Sequence, residues 1–123
     1  MALIGIGLDA VEIPRFREVL ARRPAMERRL FTEAERAYGR AGHDPAPRLA
    51  ARFAAKEATM KALGVGLGAF TFHDVEVVHG PDGAPSLRVT GRAAALAEEK
   101  GVGAWLVSIT HTDRLALAVV TAE

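Results

Sequence analysis

The stretch Arg52-Phe-Ala-Ala-Lys-Glu-Ala-Thr-Met-Lys-Ala-Leu-Gly64 decides how the rest of the chain is arranged. It reads as the second half of a helix that begins near Ala46 and ends at Gly64, because apolar residues recur in it at helical spacing. The apolar face consists of Leu49, Phe53, Met60 and Leu63. The remaining positions are largely alanine, so another backbone or a ligand can come close. The stretch therefore predicts a long central helix that is partly core and partly the floor of an anion-binding site.

Charged residues interrupt this apolar face. Lys56 lies in its middle, with Arg52 at one border and Glu57 at the other. A buried charge without a partner is costly, so Lys56 points to a bound anion, although a lysine stem can also carry its ammonium group out of a core face. Lys61 lies one turn beyond Glu57, and these two residues also fit an ordinary surface ion pair, which is worth only about a few tenths of a kcal/mol. Both interpretations remain open at this point.

Composition and length restrict the classes of protein that the chain can belong to. The 123 residues predict one domain over 1–123, and the hydrophobic half and charged quarter of the composition are typical of globular proteins. A formal net charge of +1 gives no electrostatic case for nucleic acid. The absence of cysteine excludes disulfides and thiolate zinc sites. There is no apolar run of membrane-spanning length and no basic segment of a signal peptide, so we expect a cytoplasmic protein without a membrane partner.

The N-terminal stretch Leu3-Ile-Gly-Ile-Gly-Leu-Asp9 predicts a buried strand. Its isoleucines and Leu8 share one face, and Gly5 and Gly7 lie on the other. Glycine inside a strand often marks a place where another backbone approaches closely. Asp9 stands at the end of the strand, where it either caps the following turn or serves as a rigidly held carboxylate.

The other elements follow from local signals. We expect a short helix from Pro14 to Arg22, a capping box at Thr32–Glu35 that opens another helix, a glycine-rich connector at Gly64–Gly68, a hairpin of strands 72–78 and 86–90, a helix over 92–100 and a terminal hairpin over 105–121. Backbone N–H groups of the connector could bind phosphate, but the spacing of its glycines is not that of a P-loop, so the signal alone is weak. His111 stands at the rim of the terminal hairpin, where a lone histidine is more often structural than functional.

Basic residues are concentrated in the first third of the chain, at Arg15, Arg22, Arg23, Arg28 and Arg29. Such a face is usually only solvated, but it can also dock an acidic protein. One functional hypothesis is therefore a non-catalytic oligomeric module that binds an acidic partner through these arginines. This hypothesis needs no metal and does not explain the carboxylates Asp9 and Glu57.

Three motifs resemble those of holo-acyl-carrier-protein synthases, and they occur in order over almost the whole chain. They are Gly5-Ile-Gly-Leu-Asp9 followed by Arg15, Phe53-Ala-Ala-Lys-Glu-Ala-Thr-Met-Lys-Ala-Leu-Gly64, and Ser108-Ile-Thr-His111. The resemblance implies an α+β phosphopantetheinyl transferase fold, with an antiparallel sheet packed against the central helix. It also implies a homotrimer with sites between subunits, coenzyme A as donor and Mg²⁺ as cofactor.

The same resemblance assigns a reaction and roles to residues. The 4′-phosphopantetheine group of coenzyme A is moved to a serine of apo-acyl carrier protein, as fatty acid biosynthesis requires, leaving adenosine 3′,5′-bisphosphate. Mg²⁺ takes hard oxygen ligands, here expected to be Asp9 and Glu57. Coenzyme A is expected to contact Arg52, Lys56, Lys61, Gly64, His111 and Thr112. The carrier protein is acidic and is expected to dock on Arg15 and Arg22.

The group that deprotonates the serine stays open among a water on the metal, Glu57 and His111. Glu57, His111 and Lys61 form the expected catalytic set, and by analogy His111 comes from the neighbouring subunit. Some relatives carry an aspartate directly after the histidine. This chain has Thr112 there and Asp113 next, so no role as base is carried over to that aspartate.

Overall fold

A computed structural model describes residues 2–123 of the chain. In chain order the elements are β1 (Gly5–Glu12), α1 (Ile13–Arg22), α2 (Ala25–Leu30), α3 (Glu33–Arg40), α4 (Pro45–Leu63), the 3₁₀ turn η1 (Phe72–Asp74), β2 (Val75–His79), β3 (Pro85–Val89), α5 (Gly91–Glu99), β4 (Trp105–His111) and β5 (Leu115–Ala122). Among the helices of this described part, none combines the length and hydropathy needed to cross a bilayer.

The strands form two antiparallel sheets, one of three strands in the order β1-β5-β4 and one of two strands, β2-β3. Helix α4 packs across the larger sheet, on the face that carries Ala116, Ala118 and Val120 of β5. All three side chains are buried there. The α+β architecture with an antiparallel sheet on a long central helix confirms the expected fold class.

Helix α4 has clear stop and start signals. The Asp44 carboxylate accepts a hydrogen bond from the Ala46 N–H at 3.1 Å, and Pro45 occupies the first turn. Gly64 ends the helix in the left-handed conformation, with φ of 70°. The helix predicted from Ala46 to Gly64 is thus confirmed to within one residue at each end.

Strand β1 lies directly on α4 because two of its residues have no side chain. A Cβ atom built on Gly5 would stand 1.8 Å from the carbonyl oxygen of Ala62, and one on Gly7 would stand 1.8 Å from that of Ala58. No side chain fits in that space. The close approach brings the middle of β1, with Asp9, beside the turn of α4 that carries Glu57 and Lys61. Asp9 was expected at the end of the strand, but pairing with β5 continues to Glu12.

Three local expectations differ from the structure. The segment expected as a strand from Phe72 begins as the 3₁₀ turn η1, and pairing with β3 starts only at Val75. Helix α2, with Arg28 and Arg29, was not expected, because its six residues carry too few apolar positions to show a period. The apolar face of β1 is not buried within one chain: Ile6 is 59% exposed.

Candidate active site

Lys61 links the central helix to the first strand. Its ammonium group lies 3.0 Å from the Asp9 carboxylate and donates a hydrogen bond of 2.8 Å to the carbonyl oxygen of Leu8. Lys61 had been considered as a simple i,i+4 partner of Glu57, but the structure directs it to Asp9. The half-exposed lysine therefore serves as a cation beside a carboxylate that β1 holds in place.

Glu57 is the second carboxylate of this group. Burial raises the pKa of Glu57, the charge of Asp9 raises it further, and the charge of Lys61 opposes them. The effect of Asp9 on Glu57 means that the two carboxylates are near enough to repel each other. The structure thus brings together Asp9, Glu57 and Lys61, three residues that the sequence predicted for one site.

The two carboxylates suit a magnesium ion. Residues 2–123 contain no group of three or more His, Cys, Asp or Glu side chains that would enclose a metal. Mg²⁺ does not need such a group, because it retains several waters and is often held by one or two carboxylates together with substrate phosphates. A cation between Asp9 and Glu57 would also remove the repulsion that raises the pKa of Glu57.

A cavity of about 910 Å³ opens beside Glu57. Its wall contains apolar side chains from α2, α4, the connector and η1, namely Met26, Leu30, Phe53, Leu67, Phe70 and Phe72. Its rim is basic, with Arg23, Arg29 and Arg92. The cavity therefore combines an apolar interior with positive charge, which suits an elongated ligand that carries anionic groups.

Sequence reasoning did not assign these lining residues to a site. Arg92 and His73 carried no motif, and Arg23 and Arg29 were noted only as part of a basic face. The docking residues named from the sequence, Arg15 and Arg22, are exposed on α1 and lie outside the cavity lining. The glycine-rich connector was the one available signal, since its backbone N–H groups had been considered for phosphate binding.

Lys56, an expected contact of coenzyme A, has buried partners within the chain. Its side chain is 0% exposed and its ammonium group lies 2.8 Å from the Glu35 carboxylate. It also donates hydrogen bonds to the carbonyl oxygens of Phe72 and Val75. An ammonium group has three protons and all three have acceptors here, so none remains for a phosphate. Glu35, the buried partner that the sequence analysis did not find, explains why a lysine occurs in a core face.

Arg52 is also buried, and it does not line the cavity beside Glu57. Its guanidinium group lies 3.9 Å from the ring centroid of Tyr38 and 3.2 Å from Nδ1 of His79. Burial lowers the pKa of Arg52, with Tyr38 and Glu35 opposing the shift. Within one chain, the structure therefore places Arg52 in a cluster apart from Asp9 and Glu57.

Gly64 and Thr112 have structural partners in the chain. The N–H of Gly64 caps α4 by donating to the carbonyl oxygen of Lys61 at 3.0 Å. The Thr112 hydroxyl accepts hydrogen bonds from the backbone N–H groups of Arg114 and Leu115, and so shapes the turn between β4 and β5. Their expected contacts to coenzyme A stay predictions.

His111 lies at the end of β4 with an exposed side chain. Its Nδ1 atom is 3.4 Å from the carbonyl oxygen of Thr112. Among the described residues, those that line the cavity beside Glu57 do not include His111. A single chain thus leaves the expected catalytic histidine outside the group formed by Asp9, Glu57 and Lys61.

Comparison with known proteins identifies the family. A model of the 4′-phosphopantetheinyl transferase superfamily matches residues 5–120. The chain belongs to this superfamily. This membership decides between the two classes of function considered for the chain: it is an enzyme with phosphopantetheinyl transferase activity and not a non-catalytic binding module.

Individual members of the superfamily are similar over their full length. A holo-[acyl-carrier-protein] synthase of Salinispora arenicola is 49% identical, with 98% of each chain covered. The crystal structure of the Neisseria meningitidis holo-[acyl-carrier-protein] synthase superposes with a TM-score of 0.90 at 31% identity, covering 99% of both chains. The Helicobacter pylori synthase, solved in complex with coenzyme A, has a TM-score of 0.84 at 28% identity, covering 96% of this chain and 99% of that one.

Proposed function

We propose that this phosphopantetheinyl transferase is a holo-acyl-carrier-protein synthase. It transfers 4′-phosphopantetheine from coenzyme A to a serine of apo-acyl carrier protein, for fatty acid biosynthesis. The observation that carries the proposal is the group of Asp9, Glu57 and Lys61 beside a cavity with an apolar wall and a basic rim. The names of the full-length relatives and the coenzyme A bound to the Helicobacter pylori synthase support the substrates. A cytoplasmic location stays a prediction.

The reaction breaks the phosphorus–oxygen bond within the pyrophosphate of coenzyme A and forms a bond from that phosphorus to the serine oxygen. The serine proton goes to a base, and adenosine 3′,5′-bisphosphate leaves. Asp9 and Glu57 would hold Mg²⁺, which supplies charge neutralisation to the pyrophosphate. Lys61 carries a positive charge at the same place and is the candidate for contact with a phosphate oxygen.

The proposal includes a homotrimer with active sites between subunits. The face of the larger sheet that points away from α4 carries exposed apolar side chains, among them Ile6, Leu8 and Leu106. Ile6 and Leu106 both pair with Thr121 of the central strand β5, so they flank it on that face. A patch of this kind marks a protein contact. By analogy with the family, His111 of one subunit is expected to reach the carboxylates of the next.

The direct test mixes the protein with apo-acyl carrier protein, coenzyme A and Mg²⁺ and measures the mass of the carrier. We expect the carrier to gain one phosphopantetheine group. A chelator should stop the transfer, and added Mg²⁺ or Mn²⁺ should restore it. A carrier whose mass stays unchanged with coenzyme A and metal present would contradict the proposed function.

A further inference from the structure

The ammonium group of Lys56 joins four elements at one buried point. Lys56 belongs to α4, its carboxylate partner Glu35 belongs to α3, and its two carbonyl acceptors, Phe72 and Val75, belong to η1 and to the start of β2. Both charged side chains are 0% exposed. A buried pair of this kind is rarely worth its desolvation in stability alone, so its retention calls for another explanation.

Glu35 has no free oxygen either. One carboxylate oxygen accepts the backbone N–H of Thr32 at 3.0 Å, as part of the capping box of α3, in addition to the ion pair with Lys56. The other accepts the backbone N–H of Val77 at 3.0 Å. The pair therefore fixes the start of α3 and the middle of β2 against the same turn of α4.

The segment held in this way is a wall of the cavity beside Glu57. Phe72 and His73 of η1 line that cavity, and Glu57, which also lines it, follows Lys56 directly in α4. The carbonyl groups bound by Lys56 lie at residues 72 and 75, so they flank η1 at both ends. The same ammonium group thus ties the wall formed by η1 to the helical turn that presents Glu57.

We propose that the Glu35–Lys56 pair positions Glu57 and the η1 wall relative to each other, and that Lys56 does not bind the phosphates of coenzyme A. This inference rests on the proposed function for its effect on turnover. Small displacements of reacting groups are expensive in catalysis, so the loss of the pair should reduce kcat by about tenfold or more while affinity for coenzyme A is preserved. Lys56 and Glu35 are positioning residues in this view.

The first test uses the wild-type protein and acetylation of its amines. The chain has three lysines, Lys56, Lys61 and Lys100. Mass spectrometry should show fast acetylation of Lys61 and Lys100. Lys56 should react at least about tenfold more slowly, because its amine is enclosed. Coenzyme A with Mg²⁺ should protect Lys61 only. Acetylation of Lys56 at the rate of Lys100, with protection by coenzyme A, would overturn the proposal.

The second test removes both charges together in Glu35→Leu/Lys56→Met, because either single change leaves an unpaired buried charge. Hydrogen exchange should accelerate about tenfold or more over residues 72–77 and stay unchanged in β4 and β5. The KM for coenzyme A should remain within about threefold of wild type, while kcat falls by about tenfold or more. Lys61→Met, an equal truncation on the same helix, should instead weaken coenzyme A binding.

The possible results separate the alternatives. Unchanged exchange and unchanged kcat in the double variant would overturn the positioning role, and a rise in the KM for coenzyme A like that of Lys61→Met would make Lys56 a ligand after all. If the double variant does not fold, Glu35→Gln/Lys56→Met provides the same exchange and kinetic comparison, with the shape of the Glu35 side chain kept and no buried charge left unpaired. A wild-type protein that modifies no carrier would contradict the proposed function, whereas acetylation and exchange would still decide the position of Lys56.

Discussion

Glu57 is the residue on which the chemistry of the site depends most directly. It is partly buried, its pKa is raised by that burial and by Asp9, and the ammonium group of Lys61 lies 3.0 Å from the Asp9 carboxylate. Two carboxylates and one lysine leave net negative charge at this point. That charge disfavours the folded chain without a cation, and it is also what would attract Mg²⁺.

Glu57→Gln should lose nearly all turnover while its melting temperature stays close to, or rises above, that of wild type. A raised pKa in the folded protein means that the ionised form costs stability at neutral pH, and the amide removes this cost. Measured in a chelator, the gain should shrink as the pH falls, since wild-type Glu57 then becomes protonated. Asp9→Asn should also lose turnover. A Glu57→Gln variant that unfolds, with its folded fraction still active, would contradict the metal assignment.

His111→Ala should leave the melting temperature unchanged and lower kcat by about a hundredfold if the histidine takes part in proton transfer. The structural reason is its exposed position at a strand end, where truncation opens no cavity. His43→Ala, an exposed histidine in the turn before α4, is the matched control and should behave as wild type. A raised KM for coenzyme A with unchanged kcat would assign His111 to binding, and wild-type kinetics would return it to a structural role.

At the scale of elements, the contact between β1 and α4 builds the site. The two glycines of β1 allow its backbone to lie on the carbonyl groups of Ala58 and Ala62. The middle of the strand, with Asp9, then reaches the turn with Glu57. The arrangement of the site therefore depends on the packing of β1 against α4. A change in the distance between the two elements should affect both the stability of the fold and the activity.

Gly7→Ala should abolish the folded state or lower the melting temperature by more than about 10 °C, because the new Cβ atom would overlap the Ala58 carbonyl oxygen and backbone cannot easily move away. Gly103→Ala is the matched control, since a Cβ atom there meets nothing within 4 Å and its φ is not in the left-handed region. Differential scanning calorimetry compares the two. Equal melting temperatures would mean that α4 and β1 are farther apart than described.

At the scale of the whole molecule, two surfaces of a single copy are available for contact with a partner. They are the apolar face of the larger sheet and the basic first third of the chain. Ile6 and Leu106 are 59% and 63% exposed on the sheet face. In this part of the chain, Arg23, between α1 and α2, and Arg29 of α2 line the cavity. These surfaces suit two different partners, further copies of the chain on the first and an acidic carrier protein on the second.

Ile6→Glu combined with Leu106→Glu should convert the proposed trimer to a monomer in light scattering and remove activity, because the charges would be buried in the subunit contact. Leu67→Glu changes an exposed leucine of the connector and is the control. It should leave the number of subunits in the assembly unchanged. A wild-type monomer with full activity would refute the trimer.

Charge reversal at Arg15 and Arg22 should raise the KM for the carrier protein and leave the affinity for coenzyme A nearly unchanged. Both side chains are exposed on α1, so the fold should tolerate the change. Increasing salt should weaken carrier binding by wild type in the same direction. Lys100→Glu reverses an exposed charge after α5 and is the control. Carrier affinity that responds to neither salt nor reversal would place the docking surface elsewhere.

Much of this molecule follows from local sequence signals. The length of α4, the capping box at Thr32, both hairpins and the glycine contact of β1 were predicted, because each depends on residues close together in the chain or on a missing side chain. The meeting of Asp9 with Glu57 and Lys61 followed from the expectation that β1 packs on α4. Short elements were less well predicted, since η1 and α2 are too brief to show a period.

The tertiary structure alone decided the roles of residues whose partners lie far away in sequence. Lys56 was expected at a phosphate because no partner for it was visible on its own helix, and the structure supplied Glu35 from α3 together with two carbonyl groups from the segment at 72–75. The cavity beside Glu57 likewise joins residues from α2, the connector and η1. Periodicity and motif spacing determine which face of an element is buried, whereas the identity of a buried side chain's partner depends on how separate elements are packed in three dimensions.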